Sequence, residues 1–156
     1  MINCTFLKNY LYENIPLSLA LGVEVVQAEK AKVILKAPLA PNVNHQKTVF
    51  GGSLHALATL ASWSLVFLNL QEKKIDSEIV IASSKIKYMR PVTEDFEAVS
   101  FLEQEGNWKR FEEMLKRFKK AKISLKAHIF QDGKLAVDYE GEFAAIAQRF
   151  PLSFNL

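Results

Sequence analysis

The chain has 156 residues, 49% of them hydrophobic and 24% charged, enough to bury one compact core and too few for two full domains. A net charge of +3 is too mild to argue for a nucleic-acid partner, and neither a GxxxxGK phosphate loop nor a GxGxxG dinucleotide fingerprint is present. The single cysteine, Cys4, excludes an internal disulfide and suits a reducing compartment, and no basic-then-apolar leader follows Met1, so the expected location is the cytoplasm.

Residues 3–14 carry Phe6, Leu7, Tyr10 and Leu11 at helical spacing, and Pro16 limits that helix. Two alternating stretches, 22–28 and 32–39, read as strands about a turn at 29–31, after which Pro38 and Pro41 lead into the polar loop NVNHQKTV. A second helix is expected at about 51–70. It is the most apolar part of the chain, yet from Leu54 to Leu70 it holds His55, Thr59, Ser62, Ser64 and Asn69, and it is shorter than the roughly 20 apolar residues that span a bilayer. It therefore reads as a buried core helix and not as a membrane span.

Strands follow at 78–89, closed by Arg90-Pro91, and at 96–103. Asn107 is placed to open a third helix, to about Lys120, with Trp108, Phe111, Leu115 and Phe118 on one stripe. Two long strands, 121–130 and 135–147, flank the hairpin signal Asp132-Gly133. The sequence of elements, one helix and two strands taken three times, predicts an α+β domain spanning 1–156. Its antiparallel sheet has one long helix available to fill the concave face.

The string NVNHQKTVFGGSL at 42–54, with ATLASW at 58–63 and KIKYMRPV at 85–92, resembles the YiiD C-terminal-type thioesterase family of the hotdog-fold superfamily. The resemblance implies a hotdog fold, a curled antiparallel sheet wrapped around the central helix. It also implies a homodimer or higher homo-oligomer with sites at the subunit interface, acting on acyl thioesters of coenzyme A or acyl carrier protein. No cofactor is implied.

Elementary chemistry agrees with that expectation at the start of the second helix. Gly51 and Gly52 let a ligand come close to the backbone, and first-turn N–H groups have no intrahelical partner, so an oxyanion site is available without any side chain. Close packing of helix on sheet is the alternative use of two glycines. Thr59 lies two turns below Gly52 with His55 between them. The resemblance implies a carboxylate on this helix, usual in hotdog thioesterases that hydrolyse coenzyme A esters and matched here by Thr59, whereas this chain has no Asp or Glu between Glu29 and Glu72. Water would then need His55, His45 or a group from elsewhere in the dimer as its base.

The candidate catalytic residues are accordingly Asn44, Gly52 and Thr59, the amide and hydroxyl being able to hold a carbonyl or carboxylate without transferring a proton. Asn44 as a turn former and Thr59 bonding back to its own helix are the structural alternatives. His45, Phe50, Gly51, Ser53 and His55 are candidate substrate-binding residues. Ser53 and His55, two apart on a helix, point in different directions and form no nucleophile–base pair. Thr48 is the expected helix cap, His128 a structural strand residue, and no spacing suggests a metal site.

Two reactions fit. Thioester hydrolysis follows from the resemblance, while decarboxylation of malonyl-acyl carrier protein in fatty acid synthesis needs no base, because the enolate left behind is itself a developing oxyanion. A non-catalytic acyl-binding module is the third possibility, and a dehydratase lacks its carboxylate. The segment 107–122 holds seven Lys or Arg against two Glu, a local charge of +5, which nominates Lys109, Lys116, Lys119 and Lys120 as a surface for an acidic carrier protein or coenzyme A phosphates.

Overall fold

The computed structural model describes residues 3–147. Helix α1 (Cys4–Asn14) opens on Asn3, whose side chain accepts the Phe6 N–H at 2.8 Å. Pro16 does more than end it. Ile15, at φ −129° and ψ 83°, leaves the helical region as a residue before proline tends to, and Pro16 then starts a second helix, α2 (Pro16–Leu21). Gly22 caps α2 in the left-handed region, so the first strand begins at Glu24 rather than at 22.

Strands β1 (Glu24–Ala28) and β2 (Lys32–Ala37) form a hairpin, and a short 3-10 turn at Ala40–Asn42 leads to the long helix α3 (Gly51–Glu72). Next come β3 (Ser77–Tyr88), β4 (Phe96–Phe101), α4 (Glu105–Phe118), β5 (Lys120–Gln131) and β6 (Lys134–Ala147). The strands make one antiparallel sheet in the order β1-β2-β4-β5-β6-β3, which leaves β1 and β3 at its edges.

Alternate residues of the central strands form the core face: Ile123, Leu125, Ala127 and Ile129 of β5 and Val137, Tyr139, Phe143 and Ala145 of β6 are buried. Helix α3 lies against them and against β2, β3 and β4. At 22 residues it is longer than expected, and by length and composition it would cross a membrane, but 72% of its most apolar window is buried inside the protein. It is the core helix of the curled sheet. Trp63 ties it to β3 through an Nε1–H bond to the Ile79 carbonyl at 3.0 Å, and Tyr10 of α1 stacks on Phe67 at 4.4 Å.

Helix α4 starts at Glu105 and stops at Phe118, because Lys119 takes the left-handed cap position at φ 63° and Lys120 already belongs to β5. The predicted helix at 107–120 is thus displaced by two residues. Phe111 and Leu115 are buried as its stripe requires, but Phe118 is 53% exposed, with the Arg117 guanidinium 4.9 Å from its ring centre. Helix α4 packs on β5 and β6, and at the C-terminal end of α3 Lys73 Nζ and the Glu112 carboxylate stand 3.8 Å apart.

Candidate active site

The loop before α3 is pinned by Asn42, a residue only 3% exposed. Its amide donates to the Leu21 and Pro38 carbonyls at 2.9 and 2.8 Å, and its own carbonyl accepts the Phe50 N–H at 2.7 Å. Asn44 builds the next turn. Its Oδ1 accepts the Gln46 and Thr48 N–H groups and its Nδ2 donates to Thr48 Oγ1 at 2.8 Å. Thr48 is therefore spent inside the loop and does not cap α3 as expected.

The cap position belongs to Phe50, which has no side-chain oxygen to offer. Its carbonyl takes the Ser53 and Leu54 N–H groups at 2.9 and 3.2 Å. Among the described residues, the N–H groups of Gly51 and Gly52 have no acceptor, and the first turn of α3 carries no acid. The free donors are these two, the Ser53 N–H being taken by the Phe50 carbonyl. A Cβ on Gly52 would lie 2.5 Å from Phe50 Cε1, so the exposed Phe50 ring rests directly on the Gly52 backbone.

One turn further along α3, His55 Nε2 lies 3.0 Å from Ser84 Oγ of β3, and its ring is 5.5 Å from that of Tyr139. A second turn brings Thr59, whose hydroxyl donates to the Tyr139 hydroxyl at 3.0 Å. Tyr139 is fully buried, and that burial pushes its phenol above the ordinary value, the Thr59 bond offsetting part of the rise. Gly141 makes room for it, since a Cβ there would fall 2.5 Å from the Tyr139 hydroxyl. Tyr88 closes the near end by donating to the Gly51 carbonyl at 3.1 Å. Among the described residues no carboxylate is bonded to His55, Thr59, Ser84, Tyr88 or Tyr139.

A bulge in β3 decides which of its side chains reach α3. Ile79 and Ile81 pair with Ala145 and Phe143 on the core face, but the register then shifts, so that Ser84, Ile86 and Tyr88 pair with Gly141, Tyr139 and Val137. Without that one extra residue, Ser83 and Lys85 would face the helix instead.

Residues 4–147 match the family described as "Putative thioesterase (yiiD_Cterm)". The chain belongs to this family. A Chlorobaculum tepidum protein of unknown function is 32% identical, with a TM-score of 0.89 over 93% of this chain and 94% of that one. A Shewanella oneidensis protein described as a putative thioesterase is 30% identical, with a TM-score of 0.78 over 92% and 96%. A Haemophilus influenzae thioesterase, 15% identical with a TM-score of 0.76 over 97% and 95%, shares the fold. The curled sheet around α3 is the hotdog fold that the resemblance implied.

Within this thioesterase family member, Gly51, Gly52, His55 and Thr59 come together on one stretch of α3, whereas the Asn44 amide is occupied in its own turn. Among the described residues no hydrogen bond joins Asn44 to Thr59. His45 is exposed at that turn, and His128 lies on the outer face of β5, 3.3 Å from Asp138. Ser84 and Tyr139 were not legible as site residues. Tyr139 had one signal, a large polar aromatic in the core phase of a strand with glycine two residues on; Ser84 had none. Lys109 and Lys116 lie on α4, which meets the C-terminal end of α3 through Glu112 and Lys73, while Lys119 caps α4 and Lys120 opens β5. At about 1.5 Å per residue, the 22 residues of α3 put that Glu112–Lys73 contact about 33 Å from the glycines.

Proposed function

We propose that this protein hydrolyses an acyl thioester carried by coenzyme A or an acyl carrier protein, with the thioester oxygen received by the N–H groups of Gly51 and Gly52. The observation that carries this reading is that pair of donors without acceptors, one helical turn from His55. As water attacks the carbonyl carbon, negative charge grows on the oxygen, and removing one such preorganised donor typically costs about 3 kcal/mol. His55 takes the proton from water and returns it to the departing thiolate. Thr59 and Phe50 line the approach. The free edge of β3, with Val80 and Ile81 half exposed, is the surface on which a second copy would pair to complete the site.

A second reading is favoured by the absence of acid from α3 until Glu72. In decarboxylation of a malonyl thioester the bond to the carboxylate breaks, carbon dioxide leaves, and the enolate oxygen takes the place of the tetrahedral oxyanion. An acid-free site spares the malonyl group repulsion. Malonyl, acetyl and long-chain thioesters, followed for carbon dioxide and free thiol separately, divide the readings. Thiol without carbon dioxide supports hydrolysis, and carbon dioxide with the thioester intact supports decarboxylation. Binding with neither product would leave an acyl-binding module.

A further inference from the structure

Ser84 stands on the edge strand β3, and only the bulge between Ile81 and Ser83 turns it toward α3. Its hydroxyl is the one side-chain polar atom within hydrogen-bond distance of His55 among the described residues, at 3.0 Å from Nε2. We propose that Ser84 is a positioning residue for His55, holding Nε2 so that Nδ1 is the ring nitrogen that exchanges the proton at the thioester. This rests on the hydrolytic reading of the site.

An imidazole on a helix can rotate and has two neutral tautomers, one of which presents a lone pair where the other presents a proton. A hydrogen bond to one ring nitrogen selects between them and fixes the ring plane. Ser84 Oγ accepting the Nε2–H leaves the Nδ1 lone pair free for water. The ring face is set independently by Tyr139, itself fastened to α3 through Thr59. Ser84 pairs across the sheet with Gly141, and Gly141 is what admits the Tyr139 hydroxyl, so one stretch of the β3–β6 ladder builds both contacts. Neither contact brings a charge. On β3 the nearby titratable groups are Tyr88, on the helix-facing side, and Lys85 and Lys87, which alternate to the other face; on β6 they are Tyr139 on the core face and Glu140 and Glu142 on the outer one, Glu142 3.5 Å from Lys122. Orientation rather than electrostatics is what Ser84 supplies.

In the hydrolytic step, a water proton passes to Nδ1 as the water oxygen bonds to the acyl carbon. The carbon–sulfur bond then breaks and the thiolate takes that proton, so the imidazole ends as it began.

The test compares wild type with Ser84→Ala, Ser84→Thr, His55→Gln and the Ser84→Ala/His55→Gln pair. It uses thioester turnover together with nitrogen-15 imidazole spectra that read the neutral His55 tautomer. Ser84→Ala is expected to lower kcat about tenfold with KM held within about twofold, and to shift the tautomer ratio. Ser84→Thr, which keeps the hydroxyl, should restore both. His55→Gln should lower kcat about a hundredfold, with Ser84→Ala adding nothing to it. A tautomer ratio unchanged by Ser84→Ala overturns the positioning role whatever the activity, and so does a further loss in the double variant. A wild type that turns over no thioester would instead sink the hydrolytic reading, while the spectra still report on Ser84.

Discussion

The Thr59 hydroxyl donates to the buried Tyr139 hydroxyl across 80 residues of chain, fastening the middle of α3 to β6 beneath His55. Thr59→Val would leave the Tyr139 oxygen buried without a partner, a loss of about 1–3 kcal/mol, and Tyr139→Phe should cost less because it removes the stranded group altogether. A double-mutant cycle read by urea unfolding should give a coupling of about 1 kcal/mol. Strictly additive losses would mean that the two hydroxyls do not bond in solution.

Tyr139 also predicts a dependence on alkaline pH. Burial raises its folded-state value above the ordinary 10.0, favouring the neutral phenol. Its contribution is therefore complete below the unfolded value and is lost as pH rises through the folded one. Tyr10 and Tyr88 shift in the same direction, also through burial. Stability measured by denaturant from pH 9 upward should fall beyond about pH 10 in the wild type and less steeply in Tyr139→Phe.

The two close-approach glycines should separate function from stability. Gly52→Ala drives a methyl into the exposed Phe50 ring, which can swing aside, so the fold should survive while turnover falls as the donors are crowded. Gly141→Ala meets Tyr139 and Phe143 at 2.5 and 2.8 Å inside the core, and overpacking of that kind costs about 1–3 kcal/mol. Thermal unfolding alongside kcat distinguishes them; equal loss of stability in both would contradict the exposed setting of Phe50.

Asn44→Ala removes three hydrogen bonds that hold the turn at 44–48, and a destabilisation of about 1–2 kcal/mol is expected. If the amide also acts on the transition state, kcat should fall well beyond any change in KM. A lowered melting point with unaltered turnover would make Asn44 a residue of the loop alone.

Reversing charge at Lys109 and Lys116 should leave the hydrolysis of small thioesters unchanged, because α4 meets α3 about 33 Å from the glycines, several times the ~8 Å screening length at physiological salt. Slower association with an acyl carrier protein, in a salt-dependent way, would show that α4 is a contact surface for a large partner. Equal loss on both substrate types would point to damage in the packing of Phe111 and Leu115.

Periodicity alone gave the sequence its elements in nearly the right places, since alternate burial in β5 and β6 and an unbroken apolar α3 are patterns that a sheet and its core helix impose directly on residue types. The misplaced ends, at Pro16 and Lys119, fall where backbone conformation rather than hydrophobicity decides: proline restarts a helix and a left-handed lysine stops one.

The glycine pair at the start of α3 and the absence of any acid between Glu29 and Glu72 were facts of the sequence by itself, and the proposal of a site built on backbone donors starts from them. Only the tertiary structure decided that Asn44 and Thr48 are occupied with each other, that the basic helix α4 meets α3 at the end away from the glycines, and that His55 meets Ser84 and Tyr139. The reason is that side chains alternate along a strand with a period of two, so one bulged residue in β3 exchanges Ser83 for Ser84 at the helix. That choice rests on how β3 pairs with β6, more than fifty positions away in the chain.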